Sequence, residues 1–189
     1  MGKYEFTDEI KVVNGIALHR IKAITDFGNV KAGELGGFIK KRANLSDEGN
    51  AWVSDNAEVC GDARVFGDAR VCGDARVFGD ARVCGDARVC GDTWVYGDAR
   101  VYGNARVCDN AEVCGDADYI CIKGLGSKYR NTTFYNNKKG GVSVCCGCFY
   151  GTLDEFAAKV KETHADNVYA KEYLAAVEVV KIHFGIKDD

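Results

Sequence analysis

Residues 61–108 read GDARVF GDARVC GDARVF GDARVC GDARVC GDTWVY GDARVY GNARVC, eight hexads without an insertion. The frame reaches further on both sides. Val holds every sixth position from Val53 to Val113, and a small residue, Ala or once Thr93, stands two before each Val. A strict short period of this kind is the mark of a repeat architecture and has to be read before anything else. Side chains alternate along an extended strand, so each Val shares one side with its Ala while the residue between them, usually Arg, points outward. Gly-Asp or Gly-Asn then supplies a corner, because Gly accepts a positive φ and Asp or Asn hydrogen-bonds its own turn. Three strands and three corners close a triangular coil of 18 residues, and the regular hexads fill nearly four coils with rungs about 4.7–4.9 Å apart.

Winding the chain every 18 residues aligns side chains in columns. One face stacks Trp52, Arg70, Arg88 and Arg106 beside Cys72, Cys90 and Cys108. The next stacks Glu58, Arg76, Trp94 and Glu112 beside Cys60, Phe78, Tyr96 and Cys114, and the third Arg64, Arg82, Arg100 and Asp118 beside Phe66, Cys84 and Tyr102. The corners carry Asp62, Asp80, Asp98 and Asp116; Asp74 and Asp92; Asp68 and Asp86. Between Val53 and Asp118 there are seven Arg and no Lys against eleven Asp and two Glu, a net of −6 in a chain of net charge −3, so the repeats are the acidic part. Stacked like charges one rung apart repel by on the order of 1 kcal/mol per pair in water. The plain structural account is that Asp shapes turns, Arg neutralises it and the aromatics stack outward. The functional account makes this surface a recognition face, with Asp62, Asp80, Asp98, Asp68, Asp86, Asp74 and Asp92 at its corners and Phe78, Trp94, Tyr96 and Tyr102 as its aromatic contacts.

The flanks differ in kind. Residues 1–44 form a β-rich N-terminal capping module, with a hairpin signal at Asn14-Gly15 between β-formers. Gly33, Gly36 and Gly37 are expected as turns into the first coil, since they lack the spacing of a phosphate loop. Ala43 and Leu45 show the first small-x-aliphatic pair, and the step of eight from Leu45 to Val53 implies a two-residue insertion. The β-helix is placed at 45–119 and a C-terminal module at 120–189. In that module residues 123–139 are expected as loop and short strand, and GVSVCCGCFYGT as a second strand region. Thr152 and Glu155 form a capping box for a helix, and a second helix presents Tyr169, Tyr173, Ala176, Val177, Val180 and Phe184. These two helices are expected to cover the open end of the solenoid.

Residues 1–26 lack the pattern of an export signal, and no apolar run has the length of a membrane span, which leads to the expectation of a cytoplasmic protein. The ten Cys are then expected as thiols. Cys145, Cys146 and Cys148 with His164 lack the paired C-x-x-C knuckles of a strong zinc site and are read as strand thiols.

The frame V-x-G-D-A-R resembles the hexapeptide repeat of left-handed parallel β-helices, aliphatic-x-x-x-small-x. In many members Gly directly follows the aliphatic residue, whereas here Phe, Cys or Tyr intervenes. The resemblance implies a mainly β fold, a left-handed parallel β-helix of about four coils with a small N-terminal module and an α+β cap. Its best-known members are acyltransferases and zinc carbonic anhydrases. The first typically use a His base and the second three His, but His19, His164 and His183 all lie outside the repeats, so no enzyme, metal or cofactor is expected. With LGGFI before the repeats and CGCFYGTLDEF and YAKEYLAA after them, the chain is similar to hexapeptide-repeat proteins of phages and prophages, and to β-helical inhibitors of type II CRISPR effectors. That resemblance implies a non-enzymatic protein in the host cytosol that places an acidic solenoid on a basic DNA-binding or PAM-reading region of Cas9. Alternatives are an acyltransferase-like enzyme, oligomeric through its flat faces, and a structural phage component.

Overall fold

The computed structural model describes residues 2–187. Two antiparallel strands, β1 (Tyr4–Val13) and β2 (Ile16–Ala23), form the expected hairpin, with Asn14 and Gly15 both at positive φ (49° and 77°) as its turn requires. Strand β3 (Leu35–Ile39) pairs antiparallel with β2 and, on its other side, parallel with Glu58 and Val59 of the first regular coil. The hairpin and one face of the solenoid are therefore a single seven-stranded sheet. Gly36 and Gly37 lie buried inside β3 rather than in turns, and only Gly33 has positive φ. What these two positions require is the absence of a Cβ. One built on Gly37 would stand 2.5 Å from the Ala57 carbonyl oxygen, and one on Gly36 2.7 Å from the Trp52 ring.

Eleven two-residue strands follow, from β4 (Trp52–Val53) to β14 (Glu112–Val113), one at every sixth residue. They stack in parallel with partners 18 residues apart, Trp52 with Arg70, Arg88 and Arg106 on one face, Glu58 with Arg76, Trp94 and Glu112 on the second, and Arg64 with Arg82 and Arg100 on the third. Every Val and every small residue of the frame is buried. The chain is thus mainly β, a solenoid of about four coils. The corners turn on a Gly at positive φ, as at Gly79 (71°), except that Asp55, between Gly49 and Gly61, and Asp109, after Gly103, take the same conformation. The Leu45 bridge to Val65 spans 20 residues instead of 18, which locates the two-residue insertion. Ala43 is exposed in a short 3-10 turn, and the neighbouring Asn44 goes inward in its place.

All rungs point the same way. The N–H groups of each coil donate to carbonyls of the next, as Arg64 to Ala81 (2.9 Å) and Arg82 to Ala99 (2.9 Å). The first coil consequently presents unpaired carbonyls and the last coil unpaired N–H groups, and both edges need partners of the opposite kind. At the first edge the donors are the Phe38 and Lys40 amides to Ala57 and Val59, the Lys3 ammonium to Gly49 (3.1 Å) and Ala51 (2.8 Å), and the Asn44 amide to Gly61 (3.3 Å) and Ala63 (2.8 Å). At the last edge the acceptors are the Thr133 hydroxyl for Arg106 N–H (3.1 Å), the Asp116 carboxylate for Arg100 N–H (2.9 Å) and the Asp118 carboxylate for Cys114 N–H (2.8 Å). Replacing Lys3 by Met keeps the buried stem and removes two donors. It is expected to lower the unfolding free energy by about 1–2 kcal/mol in urea titration.

The far end is closed by a four-stranded antiparallel sheet of β15 (Tyr119–Leu125), β16 (Arg130–Asn136), β17 (Val142–Cys146) and β18 (Phe149–Thr152). Residues 123–139 are therefore more strand than expected. Alternation divides the sheet: Tyr135 and Cys145 join the solenoid core, while Phe134, Val144 and Cys146 join a second core under α1 (Leu153–His164) and α2 (Val168–Phe184). It is this sheet that covers the open coil, and the helices cover the sheet's outer side. The capping box forms, with Glu155 N–H donating to Thr152 Oγ1 (3.2 Å) and Thr152 N–H to Glu155 Oε2 (2.8 Å).

Candidate functional site

The three Asp corners differ in how their charge is met. On the corner between the Trp52 and Glu58 faces, Asp74 accepts from the Asn56 amide (3.2 Å) and Asp92 pairs with Lys138 (2.8 Å). On the corner between the Arg64 and Trp52 faces, Asp68 accepts from the Asn50 side chain (2.7 Å) and Asp86 from Asn104 (3.4 Å). Both columns hold two Asp between two Asn, so their negative charge is short. The third corner, between the Glu58 and Arg64 faces, runs Asp62, Asp80, Asp98, Asp116 without interruption. Lys41 pairs with Asp62 at its start, holding that carboxyl below the usual range through its hydrogen bond and charge. Asp116 at its end is occupied by Arg100 N–H. Asp80 and Asp98, both exposed, have no side-chain hydrogen bond or ion pair among the described residues. The Asp80 backbone N–H is used in the corner, donating to the Gly97 carbonyl oxygen (2.8 Å).

Of the aromatic residues, Phe78 and Tyr96 lead directly into this corner and stack face to face, centroids 5.0 Å apart and planes within 4°. The Tyr96 hydroxyl donates to Glu112 (2.8 Å), and that bond pushes its pKa up to about 12. Trp94, on the same face, is held between the Lys138 ammonium (4.3 Å from the ring centroid) and the Arg76 guanidinium (5.8 Å). All three are half-buried. Tyr102 is 60% exposed and stands on the Arg64 face, leading into the Asp68 and Asp86 corner. The eleven residues expected at the surface thus fall on three edges, and the structure brings together Asp62, Asp80, Asp98, Phe78 and Tyr96, with Trp94 beside them.

Of the two neighbours of this edge, one was not expected. The hairpin tip leans over the Glu58 face, so that Val13, Asn14 and Ile16 form one wall of a cleft of about 250 Å³ whose other wall holds Arg76, Phe78 and Trp94. Its buried carboxylate, Glu58, is neutralised by Lys11 (2.7 Å) and Arg76 (3.4 Å). On the opposite side of the edge, Arg64, Arg82 and Arg100 form no ion pair among the described residues. The 18-residue winding already places these Arg beside the Asp column, whereas nothing local announces the hairpin's lean.

Cys145 and Cys146 point to opposite sides of β17, Cys148 is exposed, and the His164 ring stacks on Tyr173 at 5.8 Å. Successive strand residues cannot present thiols to one point, so the four do not converge.

The repeat frame is also what comparison with known proteins detects. The family model of the YdcK beta solenoid repeat matches residues 57–73, 69–83, 81–97, 95–109 and 99–115. The chain is a repeat β-helix protein. The matched stretches of this solenoid overlap, the first four starting about two hexads apart, and they stay within the regular coils. No curated protein matches the chain.

Proposed function

We propose that the solenoid is a non-enzymatic binding scaffold that lays the Asp62, Asp80, Asp98, Asp116 edge into a basic, nucleic-acid-binding groove of another protein, with the PAM-reading region of a Cas9-type nuclease in the host cytosol as the expected partner. The observation that carries this reading is the uninterrupted Asp column, whose two central carboxylates have no partner of their own. A groove that normally neutralises phosphates gains affinity from any rigid row of carboxylates, and the rungs hold this row at about 4.7–4.9 Å. The stacked Phe78 and Tyr96 add an apolar shoulder of the kind that anchors interfaces. Its phage or prophage origin is part of the same proposal and follows from the resemblance of the flanks.

The test is co-elution of the purified chain with Cas9, with and without guide RNA, at low and raised salt. A complex that weakens as salt rises is expected, and no complex under any condition sinks the assignment of partner. Asp80→Asn with Asp98→Asn keeps the turn chemistry and is expected to weaken the complex roughly tenfold, about 1.4 kcal/mol. Unchanged affinity moves the contact off this edge.

A further inference from the structure

Under the cap helices a cavity of about 370 Å³ opens between the turn that joins β17 to β18 and one face of α1. Its floor is buried and largely apolar: Phe156 and Val160, one helical turn apart on α1, with Cys146 of β17 and Tyr173 of α2. Phe149 joins them, its ring 5.3 Å from that of Phe156, which meets Tyr173 edge-on at 5.6 Å. The polar atoms of this floor are already engaged within the protein. The Tyr173 hydroxyl donates to the Leu125 carbonyl (3.2 Å), and the Cys146 sulfur accepts from the Thr132 hydroxyl (3.2 Å). What the floor offers a ligand is therefore apolar surface.

The rim is cationic, and one of its charges is unmatched. Lys159 pairs with Glu162 (2.9 Å), whereas the exposed Arg130 guanidinium has no hydrogen bond or ion pair among the described residues. It lies against the β17–β18 turn, since a Cβ built on Gly147 would fall on the guanidinium. The cleft at the hairpin tip differs in this respect, because its carboxylate, Glu58, already has two cations. We propose that the cap cavity binds a small amphiphilic monocarboxylate, its apolar chain on Phe156, Val160 and Tyr173 and its acid group on Arg130. A guanidinium presents parallel N–H donors that match one carboxylate, and it selects an anionic head over a neutral or cationic one. At about 30 Å³ for a water-sized group the cavity takes roughly a dozen such groups, enough for a chain of about eight to ten carbons with its acid.

The experiment titrates the full chain with octanoate, followed by calorimetry and by backbone amide shifts, beside acetate, butanoate and 1-octanol. Octanoate is expected to bind, with shift changes centred on residues 146–149 and 156–164. Each buried methylene should tighten binding roughly two- to fourfold, so butanoate falls well below octanoate and acetate lower still. The neutral 1-octanol should bind roughly tenfold more weakly than octanoate. Arg130→Gln should remove that difference, weakening octanoate roughly tenfold and leaving 1-octanol unchanged, with circular dichroism establishing that the variant is folded. Arg82→Gln, on the solenoid, should alter neither. No binding of octanoate, shift changes centred elsewhere, equal affinity for octanoate and 1-octanol, or full octanoate affinity in Arg130→Gln overturns the proposal. The site belongs to the cap, so none of these outcomes bears on the Asp80 and Asp98 edge.

Discussion

Replacing Gly37 by alanine is expected to cost about 3–5 kcal/mol, a large part of the whole stability of a domain. A Cβ at this position would stand 2.5 Å from the Ala57 carbonyl oxygen, 2.9 Å from a Val53 methyl and 3.1 Å from the Ser54 carbonyl oxygen. None of these can yield as a flexible side chain would. The Ala57 carbonyl is itself the acceptor of Phe38 N–H (2.8 Å), so moving β3 outward to relieve the clash breaks the bond that joins the hairpin to the first coil. Release of β3 also uncovers Ala57 and Val59, the carbonyl edge that its amides satisfy. The expected result is a lower midpoint in urea, with amide exchange accelerated first in β2 and β3. A loss below about 1 kcal/mol would show that β3 relaxes and that the close approach is not what demands glycine.

The same residue shows where sequence reading stops. Gly has two distinct uses, a positive φ and a missing Cβ, and local sequence does not separate them. At Gly79 the period reveals the first use, because a corner must recur every six residues. At Gly37 no period exists, and the need arises from Ala57, a residue 20 positions away. The columns of Arg70, Arg88 and Arg106 or of the four Asp were legible for the opposite reason, since a fixed period converts sequence distance into contact. The strands of the cap were obscured by composition. Thr132, Thr133 and Asn136 read as loop, yet Thr133 is polar because its hydroxyl serves the donor edge of the last coil. The Asp80 and Asp98 edge was visible in the sequence, but the half-burial of Phe78 and Trp94 under the hairpin tip was not, because it depends on how β1 and β2 lean.

The polarity of the edges predicts the second large effect, at Asn44. This side chain is fully buried, and its amide nitrogen donates to the carbonyls of Gly61 and Ala63, while its oxygen accepts from Lys41 N–H (2.9 Å). In the next two coils the corresponding carbonyls accept from the backbone of the coil before, as Gly79 does from Asp62 and Ala81 from Arg64. Asn44 stands where a preceding coil would be and imitates two of its N–H groups. Asn44→Leu is close in volume and more apolar, so a purely hydrophobic account makes it neutral or stabilising. Hydrogen bonding reverses that sign: the buried Ala63 carbonyl and the half-buried Gly61 carbonyl and Lys41 N–H would lose their partner, at a cost of about 2–4 kcal/mol. Asn44→Asp separates geometry from donation, because it keeps the acceptor for Lys41 and removes both donors, facing carbonyls with a carboxylate instead. It should destabilise at least as strongly at neutral pH and recover in part as the pH falls and the carboxyl regains a donor. Equal stability of Asn44→Leu and the unaltered chain in urea would mean that water satisfies the first edge, and that a solenoid of this kind needs no donor-bearing cap.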